Sequence, residues 1–353
     1  MARQQRTNSS DKSPAGPRDL RVVAIGGGTG LSTLLKGLKR YVLTPALAAS
    51  GETAIRELNG VVTVSDDGGS SGRLRKEFNM LPPGDIRNCI VALSEDEALL
   101  SRLFQHRFQR GSGLEGHSFG NLFLAALTSI TGDFAEAVRL SSEILLTRGH
   151  IYPATSSSVE LEAAMDDGTR VRGETTITAS KGKIRELFLD PPDVEPLPQT
   201  LEAIAEADLI TIGPGSLFTS LIPNLLVRGI GKAIVETAAV KVFVCNLMTQ
   251  ANESLGLTAA DHIRALNSHA GAQLFDYALI NQKEVSQEMK AKYALEGAAQ
   301  IVADLDAIEA LGVCPIQGDY LDEGEVARHA TDRVAHDLMA LMAQAPDRQA
   351  APR

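Results

Sequence analysis

The sequence predicts an α/β protein: a doubly wound, mainly parallel sheet with a helical middle segment and a small antiparallel hairpin insert. Three observations carry this. Short apolar runs end in glycine or polar turns and give way to apolar residues at helical spacing, the rhythm that builds a parallel sheet. From about residue 83 to residue 146 the periodicity is helical and long β-branched runs are missing. Two alternating runs flank Asp166-Asp167-Gly168, and Asp-Gly between alternating segments is a strong hairpin signal.

Each element follows from its residues. Residues 1–19 are polar and rich in Arg, Ser and Pro; with no face to bury they read as a disordered tail. Residues 20–25 form the first strand, apolar throughout except for Arg21, as a sheet covered on both faces demands. Three glycines end it, and Leu31, Leu34, Leu35 and Leu38 then mark a helix. Residues 61–64 are the next strand, stopped by Ser65-Asp66-Asp67-Gly68-Gly69. In the middle, Leu99, Leu103 and Phe104 make one helix face. Phe119, Leu122, Phe123, Ala126 and Leu127 make a second, and Phe134, Ala137, Val138, Ile144 and Leu145 a third. Residues 159–165 and 170–178 are the two hairpin runs, and 184–189 adds another antiparallel strand. The α/β rhythm returns near Pro196, with strands at 207–212 and 241–246 and a last one at 277–280. A final helix is expected from about Glu325 to Met342, with Val326, Val334, Leu338 and Leu341 inward. One domain, residues 20–342, is expected, followed by a frayed tail over 343–353.

Composition narrows the function. The 353 residues carry 34 Lys and Arg against 44 Asp and Glu, a net charge of -10. That balance excludes a general nucleic-acid binder, which needs a basic surface to displace counterions from phosphates. The three cysteines, Cys89, Cys245 and Cys314, are scattered and odd in number, which excludes a disulfide framework or a zinc cage. A reducing, cytoplasmic setting is expected. No apolar run nears the roughly 20 residues of a membrane helix, so no membrane partner is expected, and the N-terminus lacks a signal-peptide core.

Six motifs could carry chemistry. Gly26-Gly27-Gly28-Thr29-Gly30 links a strand to a helix, where backbone amides and the helix N-terminus favour a phosphate. It is neither GxGxxG nor a Walker loop; the competing reading is a packing turn. Ser65-Asp66-Asp67-Gly68-Gly69-Ser70-Ser71-Gly72-Arg73 follows the second strand, at the carboxyl edge where open sheets bind ligands. Its carboxylates suit ribose hydroxyls or Mg²⁺; the competing reading is a solvated turn. In Pro82-Pro83-Gly84-Asp85-Ile86-Arg87-Asn88, Asp85 is either an N-cap or a ligand contact, and Arg87 and Asn88 face whatever the helix start faces. In Gly116-His117-Ser118-Phe119-Gly120-Asn121, His117 and Asn121 share a helix face, as core residues or as ligand contacts. Gly213-Pro214-Gly215-Ser216 repeats the anion-cradle pattern. Asn246, Thr249 and Gln250, past another strand, are the uncharged hydrogen-bonding residues that read a base or a sugar.

Taken together and in this order, the six motifs resemble the bacterial gluconeogenesis factor family (YvcK-like), in the superfamily of 2-phospho-L-lactate transferase (CofD-like). The resemblance spans about residue 20 to residue 342. It implies a Rossmann-like fold that binds a nucleotide-linked ligand, a UDP-sugar such as UDP-N-acetylglucosamine or UDP-glucose. It also implies a regulator of growth on gluconeogenic carbon sources, cell shape and cell-wall precursor supply, with a protein partner in precursor synthesis and room for a homo-oligomer. Arg328-His329-Ala330-Thr331 resembles the family's Arg-His-Asp-Thr segment. This implies a UDP-sugar contact for Arg328 and phosphorylation for Thr331, although Ala330 replaces the Asp that bears on kinase recognition. The alternative is a transferase resembling the phospholactate enzymes, with Mg²⁺ held by Asp66 or Asp67. An NAD-dependent dehydrogenase is a weaker third reading, because GxGxxG is missing.

Overall fold

In chain order the strands are β1 (Asp19–Gly26), β2 (Ala54–Val62), β3 (His150–Pro153), β4 (Glu160–Met165), β5 (Arg170–Arg172), β6 (Ile184–Asp190), β7 (Leu209–Ile212), β8 (Val240–Val244), β9 (Tyr277–Asn281), β10 (Cys314–Gly318), β11 (Leu321–Glu323) and β12 (Ala327–His329). They come from a computed structural model that describes residues 18–95 and 99–344. Of the tails expected over 1–19 and 343–353, residues 1–17 and 345–353 lie outside the described residues; Asp19 already belongs to β1 and the last helix runs on to Gln344.

Seven strands pair in parallel in the order β10-β9-β8-β7-β1-β2-β3. The order runs outward in both directions from the β1–β7 pair, so the sheet is doubly wound and its switch point lies there. Such a point opens a crevice beyond the carboxyl ends of the strands. β1 is central: Val22, Val23, Ala24 and Ile25 are fully buried, because helices cover both faces. Each buried Val or Ile contributes about 1.5–3 kcal/mol. The helix Gly28–Leu38 buries Leu31, Leu34, Leu35 and Leu38, as their spacing predicts. A Cβ on Gly37 would meet the Thr331 methyl at 2.6 Å. The bare backbone there lets the last helix, Thr331–Gln344, close onto the first.

A three-stranded antiparallel sheet, β5-β4-β6, stands apart from the main one. Its β4 and β6 match expectation. The run 170–178 does not: only Arg170–Arg172 is strand, and Glu174–Ala179 is helix. Gly173, at φ +83°, turns the chain, and Asp67 takes the Thr175 N–H and hydroxyl. A tertiary contact outweighs the local alternation there.

Other differences also have physical causes. β9 is not the last strand, since β10 pairs with it in parallel; Pro315 in β10 fits an edge position. The expected helix from Glu325 begins only at Thr331. Before it, β11 and β12 form a hairpin over a small separate cluster of Leu247, Met248, Val285, Met289 and Leu321. Three-residue strands are too short to show a period, and Val326 points to solvent rather than inward. Helical turns do fill the middle, but Leu99, Leu103 and Ile144 are exposed, and Leu124 rather than Ala126 faces the core.

Among the described residues no single helix is long and apolar enough to cross a membrane.

Candidate ligand-binding site

Two glycine turns meet at the switch point. The first follows β1. Gly28 sits at φ +60°, where a side chain is disfavoured, and the helix it opens has no side-chain cap. Apart from the Gly28 N–H, which the Asp85 carboxylate accepts, its first amides are not closed off by a side chain. The second turn follows β7. A Cβ on Gly30 would lie 2.2 Å from the Pro214 carbonyl oxygen, so the turns touch through bare backbone. Side chains lock the arrangement. The Asn224 amide donates to Gly26 O at 3.2 Å. Asn246 accepts from Gly215 N at 3.0 Å and donates to Gly215 O at 2.7 Å. The Gln250 amide donates to the Ser216 hydroxyl at 2.8 Å.

The turns floor a cleft of about 720 Å³. Gly27, Gly28, Thr29, Gly30, Gly215, Ser216, Asn246, Thr249 and Gln250 line it, and Tyr293, Val326 and Arg328 face them from the hairpin side. Thr249 also ties the loop after β8 to Ala299, donating from its amide and accepting at its hydroxyl. Arg328 lies on β12, exposed; its backbone pairs opposite Asp322, and its side chain makes no hydrogen bond or ion pair among the described residues. Beside it the His329 ring bonds Cys245 O at 2.9 Å. Desolvation pushes its pKa down to about 4, so it is neutral near pH 7 and Nε2–H is the donor. Thr331 is half-buried against Gly37. Gly26 and Gly213 lie at the ends of β1 and β7, behind the lining.

The remaining candidates gather beside this cleft. Asp85 joins the two areas: its carboxylate accepts the Gly28 N–H, while burial and then Asp66 push its pKa up to about 6. Asp66 accepts Gly68 N at 2.9 Å, and Asp67 accepts Thr175 N and Oγ1 at 2.9 and 2.6 Å. Each carboxylate thus has one oxygen engaged within the protein, and among the described residues no group of three or more His, Cys, Asp or Glu side chains is placed to hold a metal. Ser70 and Ser71 are buried at the start of the helix Gly69–Phe78. The Ser70 hydroxyl lies 2.9 Å from His117 Nδ1 and accepts the Asn121 amide at 3.0 Å. Arg87 donates to the Ser118 hydroxyl, to Asn121 Oδ1 at 3.1 Å and to Asn88 Oδ1 at 2.7 Å. Arg73 donates to Glu115 O at 2.7 Å.

Two acids escaped the sequence reading. Glu174 and Glu253 both line the cleft. Burial, then Asp66, Asp85, Glu253 and Asp67, push Glu174 up to about 9, so it holds a proton at pH 7. Glu253 accepts the Thr219 hydroxyl at 3.1 Å and its other oxygen has no partner. Neither residue lies in a glycine-rich or motif-like string, and only the tertiary fold brings them to the cleft.

Comparison with known proteins agrees with this architecture. The family model described as 2-phospho-L-lactate transferase CofD matches residues 22–321. The gluconeogenesis factor of Halalkalibacterium halodurans is 49% identical over 320 residues, covering 90% of this chain and 95% of that protein. The gluconeogenesis factor of Bacillus subtilis is 47% identical over 323 residues, covering 91% and 98%. A crystal structure of a Bacillus halodurans protein superposes with a TM-score of 0.86 at 47% identity, covering 91% of this chain and all of that one.

Proposed function

The chain belongs to the CofD family and groups there with the gluconeogenesis factors, and we propose that it is a regulatory protein whose cleft binds a nucleotide-sugar, a UDP-sugar such as UDP-N-acetylglucosamine. One observation carries the reading: two glycine turns meet at the carboxyl edge of β1 and β7 and face a partnerless Arg328 across the cleft. Backbone amides and a helix N-terminus suit a diphosphate, and a guanidinium opposite can clamp it. Asn246, Thr249 and Gln250 supply uncharged donors and acceptors for a uracil or a sugar. Glu253, with one free oxygen, suits a sugar hydroxyl. In this reading the occupied state is sensed by a cytoplasmic protein partner in cell-wall precursor supply, with consequences for cell shape. Thr331, where the last helix meets the first, is the proposed place of phosphorylation.

The description of the family model lends weak support to a second reading, a transferase of the phospholactate type. That reading would place Mg²⁺ at Asp66 or Asp67, beside a phosphate bound in the cleft.

The test is thermal and calorimetric titration with UDP-N-acetylglucosamine, UDP-glucose, UMP, GDP and NAD, each with and without Mg²⁺. A ligand that binds only the native state raises stability by about 2.7 kcal/mol at 100 times its dissociation constant. A UDP-sugar should raise the melting temperature without being consumed. No shift and no heat with any UDP-sugar would refute the reading, and turnover of a nucleotide-linked substrate would establish the transferase instead.

A further inference from the structure

We propose that Arg73, Arg87 and Arg107 frame a second oxyanion site, beside the glycine cleft, that takes a phosphate group of a small ligand. Many arginines of the chain meet carboxylates, as Arg21 meets Glu206, Arg148 meets Glu95 and Arg172 meets Glu162, while Arg75 and Arg328 stand singly without one. Arg73, Arg87 and Arg107 do so together: among the described residues none reaches a carboxylate within ion-pair distance. In a chain of net charge -10, three guanidiniums without a paired acid around one loop need a reason.

They converge on residues 115–121. Arg73 donates to Glu115 O and Arg107 to the adjacent Gly116 O. His117 then meets Ser70, and Arg87 holds Ser118 and Asn121. Gly116 leaves room for this, since a Cβ there would lie 3.0 Å from Arg73 Nη2. A guanidinium has five N–H donors. Arg73 and Arg107 each spend one on a carbonyl, and both side chains are exposed, so most of their donors face outward. Arg87 is buried, with only neutral acceptors, and its Nε has no partner. That buried, unpaired donor is the second observation beside the helix start at Gly69–Phe78, which has no side-chain cap. Guanidinium forks match phosphate oxygens in pairs, and a helix N-terminus adds amides of the right sign.

The charges facing this corner are mixed. Asp85 and Asp66 act on Arg87 through space; desolvation, then Arg73 and Arg107, lowers the His117 pKa against the opposing charge of Glu77. The acids thus lie on the Arg87 side, toward the glycine cleft, and at Glu77, while Arg73 and Arg107 bracket His117.

The proposal stands apart from the nucleotide reading, because its probe is inorganic phosphate. Phosphate is titrated into the full chain at constant ionic strength, followed by calorimetry and melting temperature, with chloride as control. The proteins are the wild type, Arg73→Gln, Arg107→Gln and Arg107→Lys. Phosphate should bind the wild type and raise its melting temperature, both Gln variants should lose about tenfold or more in affinity, and Lys should keep part of it. Repeating the titration with saturating UDP-N-acetylglucosamine separates the sources. Undiminished phosphate binding means a separate phosphorylated ligand. Competition together with loss in the Gln variants means that the nucleotide's own phosphate reaches the corner. Phosphate binding no better than chloride, or Gln variants that bind like the wild type, would overturn the proposal and leave the arginines as struts for the loop.

Discussion

The glycine cleft and the arginine corner are neighbours built on opposite plans. The cleft offers backbone: bare turns after β1 and β7 and the amides that begin a helix. The corner offers side chains brought from four separate segments, Ser70 with Arg73, Arg87, Arg107 and the loop at 115–121. Between them run the carboxyls of Asp66, Asp85 and Glu174; burial, and then the charge of Asp66, raises the pKa values of Asp85 and Glu174. A backbone cradle demands particular residues at particular positions, mostly glycine, and tolerates little. A side-chain corner spreads its affinity over many groups, and any single loss should matter less.

The largest effect should come from glycines in the cradle, and it should separate two kinds of damage. Gly30→Val puts a Cβ 2.2 Å from the Pro214 oxygen, an overlap with backbone that cannot rotate away. Overpacking a tight core costs about 1–3 kcal/mol or more, so loss of the fold is expected. Gly28→Val has no neighbour closer than 3.8 Å but requires φ near +60°, at about 1–2 kcal/mol. That variant should stay folded and lose UDP-sugar binding. Circular dichroism melts with ligand titration decide: if Gly28→Val binds as the wild type does, the turn is only a packing device.

The same contrast explains what could be read in the sequence. The strand after Asp19 and the leucines at 31, 34, 35 and 38 obey local periods, and the structure repeats them. The glycine turns were legible because backbone approach leaves a local mark. Glu174 was not: it sits in a run that alternates like a strand, and becomes helical because Gly173 turns and Asp67 caps from 108 residues away. Arg107 and Glu253 carried no motif at all. The β11–β12 hairpin was lost because strands of three residues have no measurable period, while its packing surface comes from Leu247, Val285 and Met289. Arg328 was found only through the family resemblance.

Of intermediate size is the effect of pH through the acidic seam. Glu174 is raised from 4.5 to about 9, so folding disfavours its ionised form. Its stability contribution is whole below about pH 4.5 and falls as pH rises toward 9. Asp85, raised from 3.8 to about 6, acts in the same direction over a lower window. Glu174→Gln should therefore flatten the decline of melting temperature between pH 5 and 9 relative to the wild type, while leaving the two proteins alike near pH 4. A wild-type profile that rises with pH across this window would show that the carboxyl is stabilised as an anion.

The smallest effect should come from Asp66 and Asp67, where a regulator and a metal-dependent transferase part. Asp67 accepts two donors from Thr175 through one oxygen, and Asp66 accepts Gly68 N. An Asn keeps a carbonyl oxygen for the same donors, so Asp67→Asn should leave the loop in place. Hydrogen bonds to a charged acceptor contribute about 1.5–3 kcal/mol and neutral ones about 0.5–1.5, which bounds the loss at roughly 1–2 kcal/mol in stability. Asp66→Asn also removes a charge that raises Asp85 and Glu174, so that variant should lower both their pKa values and narrow the acid window. UDP-sugar affinity should fall only modestly in either variant and stay nearly insensitive to EDTA. The two proteins and the wild type can be titrated side by side, with and without chelator. Affinity that collapses with EDTA in the wild type, together with turnover that either Asn variant abolishes, would turn the seam from a structural partition between cleft and corner into the metal-binding centre of an enzyme.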